Sequence, residues 1–177
     1  YFTDNLNKKI NGYNMIYIKI INKDLKMTQR YYKIVMAEIL KKYKYSIYFD
    51  GNVKVTNKLS PLIQNLGKYD IMVYNYIIPI NVYTQFLMPY IGIYYKKKKF
   101  IKLYQTYIEE GWKDNMINST NKFIIKRHHP KMNNFLKFWY NETLKVGRDE
   151  FTLLYSVYKN NINIKIDNGL NCIKYFK

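Results

Sequence analysis

Hydrophobic and polar positions along this chain switch repeatedly between a period of two and a period near 3.6, which divides it into alternating strands and helices. Residues 14–21 (NMIYIKII) read as a strand, and Thr28 is placed to cap a helix through Lys41 whose Tyr31, Ile34, Val35 and Ile39 share one face. The run YSIYF at 45–49 predicts a second strand, which stops at Asp50-Gly51-Asn52 and resumes briefly as Val53-Lys54-Val55. Ser60-Pro61 opens a short helix ending near Gly67, and DIMVY at 70–74 is the next strand. A helix from about Phe100 closes on Glu109-Glu110-Gly111, with the glycine where a left-handed residue commonly ends a helix. KFIIK at 122–126 is a strand, and Pro130 suits the first turn of a helix that runs to Lys145 and is closed by Gly147. Asp149 starts a further helix, and NINIKI at 161–166 is the last strand. The pattern predicts an α/β fold with a mixed central sheet flanked by helices, read as a single domain over residues 1–177 without internal repeat or long linker.

Composition bounds the partners more than the fold. Nearly half of the chain, 48%, is apolar, which is enough for a real core. The formal charge of +18 invites a nucleic-acid reading, yet 27 of the 30 basic residues are scattered lysines and arginine occurs only at 30, 127 and 148. A nucleic-acid footprint would concentrate Arg and Lys on one face or in a known module, so no specific nucleic-acid partner is expected, and a basic nucleic-acid-binding protein stays only as the lesser alternative function. Ile, Lys, Asn and Tyr supply 93 of the 177 residues, the bias of an A/T-rich coding sequence, and the charge follows from that bias. Lys96 to Lys99 therefore read as a solvated face. The 21 tyrosines could stack on bases or sugars, although in this composition they mostly stand in for Phe or Leu in the core. Cys172 is alone, which excludes an intramolecular disulfide framework. No secretory pattern opens the sequence as given. Residues 71–95 carry no charge and are long enough to cross a bilayer, but Asn75, Asn81, Gln85, Pro79 and Pro89 argue against a transmembrane helix there.

The best functional clue is the strand that stops on Asp50-Gly51-Asn52. A carboxylate at the end of a buried strand, followed by a flexible residue and an amide, can hold a metal-bound phosphate; an ordinary turn uses the same dipeptides. Arg148-Asp149-Glu150 is the second constellation, and carboxylates that open a helix can simply cap it. Arg30 and Lys33 lie about one helical turn apart, as either an anion-binding pair or solvated charges. His128 and His129 follow KFIIKR, where His128 could complete a metal site or donate to a phosphate, or remain an exposed histidine.

Six strings in order, FTDN from Phe2, RYYKI from Arg30, YSIYFDGNVKV from Tyr45, YIEEGW from Tyr107, FIIKRHHP from Phe123 and FLKFWYNETLKVGRDEFTLLYSVYK from Phe135, resemble one family. It is the glycosyltransferase-like domain known mainly from plant proteins of pectin and mucilage synthesis, once grouped only as a domain of unknown function. The resemblance covers most of the chain, and its most specific parts are the strand ending in DGN and the WY-x-E and RDE-F block. It implies a GT-A-like nucleotide-sugar-binding fold, a nucleotide-sugar donor, a carbohydrate or glycoprotein acceptor, and a divalent metal, Mn2+ or Mg2+. In that reading Asp50 is the metal ligand, Asn52 touches the metal, its water or the ribose, and Gly51 allows the turn and close approach of the donor. Asp149 orients or deprotonates the acceptor hydroxyl or contacts the donor sugar, Glu150 is a possible general base, and Arg148 pairs with a carboxylate or phosphate. Arg30 and Lys33 reach the diphosphate, and Asp4 faces the base or ribose unless it caps a turn.

The chain also departs from that family. NYIIPINVYTQF, from Asn75, lacks the His-Pro, Arg and acidic residues expected there, INSTNK lacks an acidic residue, and Glu150 stands where Gln is expected. Acceptor recognition is therefore expected to have changed or been lost, which keeps open a non-catalytic sugar- or nucleotide-binding module. The resemblance also places Tyr1 inside the family's second strand, so the first strand is expected to be missing from this chain.

Overall fold

The structure is a computed structural model, and it describes residues 2–3, 7, 9, 11–12, 14–36, 39–40, 42–75, 80–87 and 97–168. Its elements run β1 (Phe2–Thr3), β2 (Ile16–Tyr17), α1 (Leu25–Val35), β3 (Tyr45–Phe49), α2 (Ser60–Leu66), β4 (Ile71–Asn75), α3 (Val82–Leu87), α4 (Lys97–Glu109), β5 (Ser119–Arg127), α5 (Pro130–Val146), α6 (Glu150–Asn160) and β6 (Ile164–Asp167). β1 and β2 pair in parallel as a small sheet. The main sheet has the order β3-β5-β4-β6, with β5 antiparallel to both neighbours and β6 parallel to β4. The α/β class with a mixed central sheet is thus as the pattern predicts, and that sheet has four strands.

Period-two alternation in β5 explains the layers. Ile124 points to a core of Ile34 and Val35 from α1, Phe135 and Trp139 from α5, and Leu153 from α6. Phe123 and Ile125 point the other way, onto Leu62 and Leu66 of α2. A third cluster joins Phe100 and Tyr107 of α4 and Trp112 to Phe151 and Tyr155 of α6. Register then fixes the ends: Phe49 lies opposite Phe123 and Asn75 opposite Ser119, so the carboxyl ends of β3 and β4 meet the amino end of β5.

Several boundaries differ from the sequence reading. Asp24, not Thr28, caps α1, because its Oδ1 accepts from the Lys26 N–H at 2.9 Å. Thr28 is already helical, and its hydroxyl accepts from the Ile21 and Asn22 N–H groups and donates to the Asn22 carbonyl. Only Ile16–Tyr17 of the predicted first strand pairs, while Ile20 and Ile21 are exposed with no sheet face to bury. Val53-Lys54-Val55 does not form a strand; only Val55 makes an isolated bridge, and Val53 and Val55 pack instead against the α2 cluster. The central strand, by contrast, begins three residues earlier than KFIIK and runs to Arg127. Gly111 (φ 89°) and Gly147 (φ 75°) end their helices in the left-handed region as predicted. No helix among the described residues is long and apolar enough to cross a membrane. Asp4, Cys172, Pro79, Pro89 and Lys96 lie outside the described residues.

Candidate functional site

The carboxyl end of β3 delivers Asp50 to the same corner as the start of α6 delivers Asp149, and α1 supplies the cations between them. Lys33 Nζ lies 2.9 Å from Asp149 Oδ2 and 3.9 Å from Asp50 Oδ1. Arg30 Nε donates to the other oxygen of Asp149 at 3.2 Å. One nearly buried lysine therefore bridges two motifs that are 99 residues apart in the chain, the difference between positions 149 and 50. Arg30 and Lys33 sit on one face of α1 because they are three residues apart in a helix.

Asp149 is held more tightly than a capping role requires. Its side chain makes no cap bond to α6. Instead Asn121 Nδ2 donates to Oδ2 at 3.1 Å, the Ser119 hydroxyl donates to Asn121 Oδ1 at 3.0 Å, and Trp139 Nε1 donates to the Asp149 carbonyl at 3.1 Å. Burial opposes ionisation of this carboxyl, but Lys33, Arg30 and Asn121 together outweigh it and hold it below the usual carboxylate range. Glu150, half-buried beside it, goes the other way: burial first, then the Asp149 charge, pushes it up. Two adjacent carboxyls are thus driven apart in acidity, one fixed as an anion and one biased towards keeping a proton.

Asp50 keeps more access, with a side chain 29% exposed against 2% for Asp149. Tyr48 Oη donates to its Oδ1 at 2.7 Å and itself accepts from Gln29 Nε2 at 2.8 Å. Asp50 also anchors the turn through its N–H, which donates to the Lys122 carbonyl, and its carbonyl, which accepts from Val53 N–H. Asn52 is exposed in that turn. Gly51 lies in the turn with a φ outside the left-handed region, and a Cβ there would meet nothing within 4 Å, so its smallness leaves open space beside Asp50. Arg148 is half-buried next to Asp149.

His128 is not part of this corner. It follows the far end of β5, where its Nε2 lies 2.8 Å from Ser46 Oγ and its N–H donates to the Lys44 carbonyl. Ser46 lies four residues before Asp50, and at about 3.3 Å per strand residue that places the His128 ring roughly 13 Å from Asp50 along the strand. Among the described residues, no three His, Cys, Asp or Glu side chains gather as a metal site. His129 serves α5, since its Nδ1 accepts from Met132 N–H and its Nε2 lies 3.0 Å from Asp70 Oδ1.

Three contributors escaped the sequence reading. Tyr48 was readable, because period two puts it on the same face as Asp50. Trp139 stands out less, although a buried indole N–H must find an acceptor. Asn121 lies in INSTNK, where nothing local marks it. The glutamate of WY-x-E, Glu142, belongs elsewhere: it is buried and accepts from the Tyr107 hydroxyl at 2.7 Å, tying α5 to α4.

No protein-family model matches the chain, and no curated protein matches it. Among solved structures, the apo crystal structure of mouse xyloside xylosyltransferase 1 aligns with 78% of this chain at 10% identity and a TM-score of 0.43. The chain spans 50% of that protein's chain. A likeness this loose leaves the reading of the site to its residues.

Proposed function

We propose that this chain is a glycosyltransferase domain that takes a sugar from a nucleotide-sugar donor and passes it to a carbohydrate or glycoprotein acceptor. The observation that supports the reading most is the convergence of Arg30, Lys33, Asp50 and Asp149 at the carboxyl end of β3. Ligands of open α/β sheets bind outside that edge. The two cations and two carboxylates cancel, so a diphosphate placed there brings charge that these four do not balance.

A divalent ion, Mn2+ or Mg2+, fits the donor set in kind: hard oxygens from a partly exposed carboxylate, Asp50, and an exposed amide, Asn52. With a single carboxylate, phosphate oxygens and water would complete its coordination, as such ions commonly accept. When bound, it would neutralise the diphosphate and ease its departure. Lys33 and Arg30 keep the corner's geometry through Asp149, and the open space at Gly51 admits the donor. Glu150, raised towards the range where a base is effective, is assigned the acceptor proton. Arg148 is assigned to donor phosphate or carboxylate.

The burial of Asp149 favours a second reading. A carboxylate with both oxygens engaged inside the fold is poorly placed to touch substrate, which suits a module that binds the donor without transferring from it. Calorimetric titration of UDP- and GDP-sugars with and without Mn2+, joined to an assay for released nucleoside diphosphate, tests both. Manganese-dependent binding that disappears in Asp50→Ala is expected. Metal-independent or absent binding contradicts the proposal, and binding without turnover selects the second reading.

A further inference from the structure

Among the described residues, the Asp50 carboxylate is held from one side only. Tyr48 Oη and Lys33 Nζ both address Oδ1, at 2.7 and 3.9 Å, while Gln29 Nε2 donates to the Tyr48 oxygen and so leaves the phenolic proton directed at Asp50. Lys33 Nζ also lies 5.3 Å over the Tyr48 ring, so α1 grips this tyrosine at its face and at its hydroxyl.

We propose that Tyr48 is a positioning residue that makes Asp50 a one-oxygen ligand and thereby favours Mn2+ or Mg2+ over Ca2+ at this corner. This rests on the metal-dependent donor reading above. A carboxylate free to turn can offer both oxygens to one ion, which suits the larger, seven- or eight-coordinate Ca2+. A carboxylate with Oδ1 pinned by a hydroxyl offers Oδ2 alone, which suits a small octahedral ion that keeps its waters and the phosphate oxygens. Groups that hydrogen-bond to a metal-ligating carboxylate fix its orientation, and losing one typically weakens metal binding about 10- to 100-fold. Tyr48 would not touch the ion; it acts through Asp50.

The test is Mn2+ binding to the full chain in the presence of UDP, followed by the paramagnetic resonance signal of free Mn2+ and by competition with Ca2+. Tyr48→Phe keeps the ring beneath Lys33 and removes only the hydroxyl. It is expected to weaken Mn2+ binding about 10- to 100-fold and to make Ca2+ a relatively better competitor, a shift in ratio that loss of stability alone would not produce. Gln29→Leu, which leaves Tyr48 in place but unanchored, is expected to shift the same ratio less, and it remains informative if the first variant fails to fold. Wild-type binding with an unchanged Ca2+ to Mn2+ ratio in both variants overturns the role of Tyr48 and leaves the donor reading standing. Absence of Mn2+ binding in the wild type overturns both.

Discussion

The two ends of β5 carry different polar side chains and use them differently. At its carboxyl end, Arg127 donates to the carbonyls of Gly67 and Tyr69 and to the Tyr45 hydroxyl. There His129 caps α5 and meets Asp70, whose other oxygen accepts from Asn163 N–H. These contacts tie segments of chain together. At the amino end, Asn121 and Ser119 support Asp149, and Lys33 joins it to Asp50, a carboxylate that remains partly open to solvent. The two ends teach that residue type is a poor guide to chemistry. Histidines and arginine sit at the end where the contacts close the fold, and the accessible carboxylate sits at the other.

The largest expected effect is at the buried anion. Asp149→Ala leaves Lys33 and Arg30 without their main partner, and removing one member of a buried ion pair costs about 3–5 kcal/mol, readable as a large fall in denaturation midpoint. Asp70→Ala at the other end should cost less, on the order of 1–3 kcal/mol for the donors it leaves unpaired. Equal losses would break the comparison.

Lys126 gives the next effect. It is fully buried on β5 and donates to the carbonyls of Lys33 and Ile34, which ties the last turn of α1 to the sheet. Burial, with help from the Lys33 charge, lowers it to about 7 from 10.5. Between those values the unfolded chain holds a proton that the folded one has released, so stability rises with pH from about 7 towards 10, by at most about 1.4 kcal/mol per pH unit. Above about 10 the raised pKa values of Tyr48 and Tyr107, each lifted first by burial, reverse the trend: the folded chain keeps protons that the unfolded one loses. Lys126→Met should abolish the rise between 7 and 10 in chemical denaturation across pH; a slope equal to wild type would refute the assignment.

The smallest effect sharpens the functional side. Gly51→Ala meets no neighbour and no left-handed φ, so it should stabilise the fold by about 0.4–1 kcal/mol. The same methyl group should weaken donor binding if the diphosphate approaches over this residue. Unchanged binding would move the donor elsewhere.

Local signals made much of the fold legible. Pro130, Gly111 and Gly147 mark helix ends through backbone restrictions that act at one residue, and YSIYF and DIMVY are strands by their own composition. Long-range pairing was not legible. VKV has strand character but finds no continuous partner, and Thr28 resembles an N-cap until Asp24 is seen to do that work. At the site, Arg30, Lys33, Asp50 and Asp149 were each singled out from the sequence, but that Lys33 joins two of them depends on how α1 crosses the sheet. The place of His128 was not legible either, because only the register of β3 against β5 shows which end of the strand it follows.

The most direct measurement is a paired titration of the donor, a UDP- or GDP-sugar with Mn2+, into Asp50→Asn and His128→Ala, each checked for wild-type melting. Asp50→Asn retains the size of the side chain and removes its charge, while His128→Ala changes the far end alone. Loss of donor binding in Asp50→Asn with wild-type affinity in His128→Ala is the predicted result. Retained binding in Asp50→Asn, or loss on changing His128, would contradict the assignment of the site to the carboxyl end of β3.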